Sequence, residues 1–275
     1  MNIRIWAMVL PALWVARSVS AQEECRLVTL ETGTVHACTF GAGPVTVVLA
    51  AGAGQSSRTW TSLRPSLATS ARVVTFDRPG LGQSLPGELP RTPTQIAREL
   101  RTVVQALGLS GPLVLVGHSM GGVHMLRYAT LFPEAVIGVA ILDTPPAGFE
   151  ESRLTLLTPE ERDERQRVLR SGLVDAPETV RLEREGAQPS SEWDFSAFPR
   201  AFPLVVVVAD SQDFGTLGSQ AAHRQLWMDE SRAWLDLSTD ARLMIAEGSG
   251  HMVHHDRPDI VVSAVRAIIA PSEEQ

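Results

Sequence analysis

The feature that most constrains the fold is a series of short, mostly apolar segments, many of them rich in β-branched residues, that alternate with helix-like segments. Such segments predict strands buried on both faces of a parallel sheet. They occur at residues 45–49, 72–76, 113–116, 137–142, 204–208 and 242–246. The intervening patterns predict helices at about 56–69, 92–107, 120–132, 220–236 and 259–269. Two β-type runs at 26–31 and 34–40 come first, so we expect a mostly parallel, doubly wound α/β sheet of about eight strands with an antiparallel start.

Residues 144–202 interrupt this alternation. The segment is rich in charge, and pairs such as Glu161 with Arg165 stand four residues apart, which supports solvated helices. An insertion of this length is too long for a plain connection between strands. We expect a helical cap at 144–202 on a core formed by 22–143 and 203–275. A charged surface decoration is the alternative.

The N-terminus predicts export from the cytoplasm. Residues 1–21 contain an early arginine, a short apolar stretch and small residues at the end, which is typical of a secretory signal peptide, and the stretch is too short to span a membrane. Cys25 and Cys38 flank a predicted hairpin, where they would face each other or lie one register step apart. We expect a disulfide and a secreted or periplasmic protein; two buried free thiols are the alternative.

Charge excludes several classes of function. There are 24 basic residues against 31 acidic ones, a formal net charge of −7, and no basic run, which argues against nucleic acid or an anionic membrane surface as partner. Every basic residue is arginine. A chain without lysine cannot form a lysine Schiff base, anchor pyridoxal phosphate or build a Walker A loop.

The chemistry centres on Ser119, in the sequence Gly117-His118-Ser119-Met120-Gly121 between a predicted strand and a predicted helix. This is the setting of a nucleophile elbow, in which the chain turns sharply and glycines prevent clashes with neighbouring backbone. A serine nucleophile needs a base. His251 follows the strand at 242–246 and is the candidate; His254 and His255, close by, are interpreted as solvated loop residues, and a metal site there has no evident third ligand.

The base needs a carboxylate to orient it. Asp213 follows the strand at 204–208 and gives the chain order Ser119, Asp213, His251 that the elbow predicts. Asp143, at the end of the preceding strand, is the second choice, and Asp210 the third.

Ester hydrolysis also needs donors for the oxyanion. The Met120 amide is one, and the Ala53 amide, after the strand at 45–49, is the expected second. His118 is expected to line or brace the site. Three apolar residues of the expected cap are candidates to line an acyl pocket: Leu154, Leu157 and Phe195.

These motifs resemble the α/β-hydrolase superfamily over nearly the full mature length. The matching features are Gly52-Ala53-Gly54 with Trp60 behind it, Asp77-Arg78-Pro79-Gly80-x-Gly82-x-Ser84, GHSMGG at the elbow, the strand and loop ending in Asp213, and GSGH at 248–251. Ala51-Gly52 stands where the superfamily usually has His-Gly. The resemblance implies that the Asp77 motif is a structural turn and that the cap shapes selectivity.

The motifs and the resemblance together predict a serine hydrolase acting on a small-molecule or lipid-like ester through an acyl-enzyme, with no metal or organic cofactor. The same triad would serve lactones, amides, carbon–carbon bonds or perhydrolysis. A serine at position 119 argues against haloalkane dehalogenases and epoxide hydrolases, which need an aspartate there. A non-catalytic ligand-binding protein of the same fold is the alternative from another class.

Overall fold

The computed structural model describes residues 23–31, 33–87, 91–186 and 191–270. The predicted signal peptide at 1–21 lies outside the described residues. Over the described part of the chain, no helix has the length and apolar character needed to cross a membrane.

The strands described form one eight-stranded sheet in the order β1-β2-β4-β3-β5-β6-β7-β8. Their bounds are β1 Glu23–Leu30, β2 Gly33–Phe40, β3 Thr46–Ala50, β4 Arg72–Phe76, β5 Leu113–His118, β6 Val136–Leu142, β7 Leu204–Ala209 and β8 Ala241–Ala246. Pairing is antiparallel for β1 with β2 and for β2 with β4, and parallel for the other neighbours. The predicted doubly wound, mostly parallel sheet is confirmed.

Helices cover both faces of the sheet. In chain order they are α1 Arg64–Leu67, α2 Pro93–Ala106, α3 Met120–Leu131, α4 Phe149–Thr155, α5 Pro159–Val174, α6 Glu178–Gly186, α7 Gln220–Ser231, α8 Val253–Asp256 and α9 Pro258–Ile269. Residues of α2, α3 and α7 share one buried apolar cluster, while residues of α1 and α9 share the other. Successive residues of β3 enter opposite clusters, as a strand buried on both faces requires.

Local sequence explains where helices begin and where one prediction is wrong. Thr92 caps α2, its side chain accepting a hydrogen bond from the Gln95 amide, and Pro93 takes the first helical position, as expected. The single helix predicted at 56–69 is instead a 3₁₀ turn, Ser57–Trp60, followed by the short α1. Pro65 lies in the first turn of α1, where its missing amide is tolerated, but it could not donate the backbone hydrogen bond needed in the interior of a longer helix.

The predicted disulfide is present in the N-terminal hairpin. Cys25 and Cys38 lie directly opposite each other in the register of β1 and β2, with Cα atoms 4.0 Å apart, and their sulfurs are bonded. This is the facing arrangement of the two that the sequence allowed.

The segment between β6 and β7 holds α4, α5 and α6. Helix α5 begins with a capping box, in which Thr158 and Glu161 exchange side-chain and backbone hydrogen bonds. Most residues of α5 are exposed, whereas α6 packs inward on the loops that follow β3 and β4.

Candidate active site

Ser119 occupies a sharp turn between β5 and α3. Its φ is +52°, a left-handed value that a non-glycine residue adopts only at a cost. A Cβ on Gly117 would lie 2.3 Å from the Gly121 carbonyl oxygen, and one on Gly121 would lie 2.3 Å from the Ala50 carbonyl oxygen. The flanking glycines are therefore required by close backbone packing, as a nucleophile elbow requires.

His251 is held by a buried carboxylate, and that carboxylate belongs to Asp143. His251 Nδ1 lies 2.6 Å from Asp143 Oδ2. Asp143 is buried, and its other oxygen accepts hydrogen bonds from the Ala209 amide at 3.0 Å and from the Trp227 indole at 2.7 Å. With Nδ1 engaged, Nε2 is the nitrogen of His251 that can exchange a proton with a nucleophile.

The expected contact between Asp213 and His251 is thus corrected. Asp213 is exposed, and one of its carboxylate oxygens accepts hydrogen bonds from the Gly215 amide at 2.8 Å and the Gln220 amide group at 3.0 Å. The third choice, Asp210, accepts from the Gly248 amide and the Ser211 hydroxyl. Asp213 is bonded within its own loop, and Asp210 joins its loop to the one after β8, while Asp143, the second choice, reaches the imidazole.

Asp143 takes this position through its backbone. It follows β6 directly and has a φ of +45°, while its amide donates to the Val207 carbonyl at 2.7 Å. The hydrogen bond to β7 holds the Asp143 backbone in this strained conformation, and in the same conformation the carboxylate contacts His251.

One expected oxyanion donor belongs to the elbow, and the other belongs to a turn that packs against it. Met120 is the first residue of α3, so its amide belongs to the first turn, whose N–H groups have no acceptor within the helix. Ala53 is the second residue of a turn closed by the Gln55 amide and the Gly52 carbonyl, 3.1 Å apart. A Cβ on Gly52 would lie 3.3 Å from the Ser119 Cβ, which places this turn against the elbow.

His118 braces the loop that carries His251. It is buried, and its Nε2 lies 2.8 Å from the His251 carbonyl oxygen. Its Nδ1 lies 3.3 Å from Gln55 Oε1, which also accepts from the Gly52 amide. Gln55 Nε2 in turn donates to the Met252 sulfur at 3.3 Å. Gln55 therefore links the turn after β3 to the His251 loop, a connection that the sequence did not reveal.

The Asp77 motif is a turn, as the resemblance implied, but the residue after Asp77 does more. Asp77 accepts hydrogen bonds from the amides of Ser57 and Gln83. Arg78 is buried and reaches the carbonyls of the turn after β3, as well as Glu183 of α6. Arg78, Glu183 and Trp227 are site neighbours that the sequence analysis missed.

The three apolar residues expected to line an acyl pocket do not gather in one place. Phe195 is buried against Trp234 and lines a cavity of about 370 Å³. Leu157 is buried near Gly218, where an added Cβ would meet its side chain at 2.6 Å. Leu154 is half-buried. Only Phe195 of the three is among the residues that line this cavity.

Neutral imidazoles surround the base. Contrary to the interpretation as a solvated loop residue, His254 is fully buried, with its ring against Trp60 and His118, and its Nε2 lies 2.7 Å from the Thr59 hydroxyl. Burial, together with the neighbouring His255 and His251, lowers the pKa of His254 to about 3. Burial, followed by His251 and His254, also lowers the pKa of His118 well below its usual value.

These buried imidazoles predict loss of stability in acid. An imidazole kept neutral in the folded state is protonated below its ordinary pKa, about 6.5, once the chain unfolds. Its contribution is therefore complete above about pH 6.5 and is lost as the pH falls, at about 1.4 kcal/mol per pH unit for each histidine. For His254 we expect a loss of roughly 2 kcal/mol in the free energy of unfolding between pH 7 and pH 5. Denaturant titrations at a series of pH values measure it.

His254→Gln should flatten the pH dependence of the free energy of unfolding by about one proton. The exposed neighbour His255 gives the matched control, and His255→Gln should keep the wild-type slope. An unchanged slope in His254→Gln would contradict the prediction.

Comparisons with known proteins show which sequences and structures this chain is similar to. The sequence model of the alpha/beta hydrolase family matches residues 47–264. The chain is similar to an uncharacterized protein, YqjL, of Bacillus subtilis (strain 168), with 28% identity over 247 residues, covering 86% of this chain and 90% of the relative.

Solved structures share the fold. One is a thermophilic esterase from Thermogutta terrifontis, with a TM-score of 0.63 and 21% identity over 90% of this chain and 98% of that one. Another is an epoxide hydrolase from an endophytic Streptomyces, with a TM-score of 0.66 and 20% identity over 90% of this chain and 95% of that one.

Proposed function

The chain belongs to the alpha/beta hydrolase family, and within that family we propose that it is a serine hydrolase that cleaves carboxylic esters through an acyl-enzyme. The observation that carries the proposal is the hydrogen-bonded pair of His251 and Asp143. Asp143 directly follows Leu142, whose carbonyl accepts from the amide of the strained Ser119 at 2.8 Å. A base oriented by a buried carboxylate is what a serine hydroxyl needs to become a nucleophile.

The residues have distinct roles in this mechanism. Ser119 Oγ attacks the ester carbonyl while His251 Nε2 takes its proton. The Asp143 carboxylate holds Nδ1 in the protonated tautomer and stabilises the imidazolium that forms. The Met120 and Ala53 amides donate to the negatively charged oxygen of the tetrahedral intermediate.

The intermediate collapses when His251 returns its proton to the leaving alcohol. Water then attacks the acyl-enzyme with His251 again as base, and the acid leaves. His118 stays neutral because its pKa is lowered by burial, so it positions the His251 loop without competing for the proton.

Serine at position 119 distinguishes this chemistry from epoxide opening, which in the resembling enzymes uses an aspartate nucleophile. Lactones, amides and carbon–carbon bonds remain alternative substrates of the same triad. The disulfide between Cys25 and Cys38 supports our further proposal that the protein works in an oxidising compartment, secreted or periplasmic.

The proposal is tested with a series of p-nitrophenyl esters of increasing acyl length, assayed beside lactones and amides. A fluorescent organophosphonate is added in parallel, and the labelled peptide is identified by mass spectrometry. We expect ester turnover and a single label on the peptide that contains Ser119. An inert protein, or a label on another residue, would contradict the proposed function.

A further inference from the structure

We propose that Arg78 and Glu183 are positioning residues that let helix α6 hold the Ala53 amide in the orientation needed for an oxyanion donor. The inference rests on the proposed function and adds to it a link between the segment inserted after β6 and the chemistry. Arg78 and Glu183 form a buried ion pair and do not belong to the proposed triad of Ser119, His251 and Asp143.

The Arg78 guanidinium makes four hydrogen bonds. Two go to Glu183, from Nε at 2.7 Å and from Nη2 at 2.9 Å. The other two go to backbone carbonyls, from Nη1 to Ala51 at 2.7 Å and from Nη2 to Gly52 at 2.8 Å. The side chains of Arg78 and Glu183 are 1% and 0% exposed. The forked geometry of arginine, which lysine lacks, serves all these acceptors at once.

The bond to the Gly52 carbonyl acts on the neighbouring amide. The carbonyl of Gly52 and the N–H of Ala53 belong to the same planar peptide unit and point in opposite directions when that unit is trans. Arg78 and the Gln55 amide both donate to this carbonyl. They therefore fix the direction of the Ala53 N–H, and a cation on the carbonyl also polarises the unit so that its N–H donates more strongly.

Helix α6 supplies the anchor for this arrangement. Besides Glu183, it places Val180 against the same turn, where a Cβ on Gly54 would meet a Val180 methyl at 3.2 Å. It also places Thr179 where a Cβ on Gly80, in the turn that carries Arg78, would lie 2.1 Å from the threonine hydroxyl. Glu183 thus neutralises the buried guanidinium from a helix that packs on both loops.

The same structure offers a matched control. Arg91 and Glu99 form a second buried pair, with Nη1 and Nη2 of Arg91 bonded to the two oxygens of Glu99 at 2.6 and 3.0 Å. Both side chains are at most 5% exposed. Because this guanidinium bonds a carboxylate of α2 instead of the turn after β3, its loss removes a buried ion pair but neither of the hydrogen bonds to the Gly52 carbonyl.

The experiment compares two double variants, Arg78→Met/Glu183→Leu and Arg91→Met/Glu99→Leu, with the wild type. Removing both members of a pair avoids leaving one buried charge unpaired, so the folded state is retained more often than with a single change. Melting temperatures are measured first. Kinetics on a short p-nitrophenyl ester and the rate of organophosphonate labelling are then measured well below the lower melting temperature.

For Arg78→Met/Glu183→Leu we expect kcat to fall by about 10- to 100-fold, while KM changes less than about threefold. The reason is that loss of a well-placed oxyanion donor lowers kcat by about 10²–10³. The rate of organophosphonate labelling should fall with kcat. The control should keep kcat within about threefold even if its melting temperature falls equally. Unchanged kcat in the first variant, or an equal loss in both, would overturn the inference.

Arg78→Lys decides the outcome if the double variant does not fold. Lysine keeps the charge but cannot reach the carboxylate and both carbonyls together. A folded Arg78→Lys protein should therefore show the same lowered kcat with little change in KM, and wild-type kcat would overturn the inference. If the wild type neither hydrolyses esters nor is labelled at Ser119, the proposed function itself fails, and the inference fails with it.

Discussion

Replacing Ser119 with alanine should lower kcat by about 10⁶, leaving only the residual rate that substrate binding and the oxyanion donors supply. The loss is this large because removing the nucleophile removes the acyl-enzyme path as a whole. Alanine keeps the Cβ that the elbow already accommodates at a φ of +52°. The free energy of unfolding should therefore change little, and the loss can be assigned to chemistry.

Steady-state kinetics on a short p-nitrophenyl ester and chemical denaturation of the same preparation measure both expectations. Ser263 gives a control, because it is an exposed serine on α9, far along the chain from the elbow. Ser263→Ala should match the wild type in turnover and in phosphonate labelling. Substantial activity or labelling in Ser119→Ala would refute the assignment of the nucleophile.

The fold was predictable because its signals are local. A strand buried on both faces is mostly apolar, so such strands appear in the sequence as short runs dominated by β-branched and other apolar residues. The strand β4 was predicted with its observed bounds, Arg72–Phe76. The helix predicted at 56–69 is wrong because Pro65 lies within it and has no amide hydrogen for the backbone hydrogen bond that a helix interior needs.

The elbow was predictable for a similar reason. Its glycines, serine, strand and helix are adjacent in the chain, so the local pattern contains the whole geometry. The facing cysteines follow from the hairpin in the same way.

The choice of carboxylate was not local. Asp143 and Asp213 follow β6 and β7, which are parallel neighbours, so both lie at the same edge of the sheet and both satisfy the order serine, acid, histidine. Asp143 differs from Asp213 in two ways. Its backbone has a positive φ, and its carboxylate accepts hydrogen bonds from Ala209 and Trp227, which are 66 and 84 residues away. Contacts at this separation leave no pattern in a single sequence.

Arg78 illustrates the same limit. The family resemblance implied that its motif is a turn, and the structure contains that turn. The bond to Glu183 joins residues 105 positions apart, and the bonds to the turn after β3 involve backbone carbonyls, which carry no side-chain signature.

Replacing Asp143 with asparagine should lower kcat by about 10⁴ near neutral pH while the protein remains folded. The carboxylate accepts the proton of His251 Nδ1 at 2.6 Å. An amide nitrogen at that position would present a donor, which favours the tautomer with the proton on Nε2 and removes the base for Ser119. The remaining amide oxygen can still accept from the Ala209 amide and the Trp227 indole, so the β6 end should keep its structure.

Asp213→Asn is the matched control, since it makes the same chemical change on the neighbouring strand end. The Asp213 carboxylate is exposed and bonded within its own loop, so kcat should stay within about threefold of the wild type.

Profiles of kcat against pH give a second comparison. The profile of Asp213→Asn should superimpose on that of the wild type, because His251 still contacts Asp143. If instead Asp213→Asn is nearly inactive and Asp143→Asn keeps most of its activity, the loop after β7 rearranges in the working enzyme to bring Asp213 to His251, and the assignment of Asp143 is wrong.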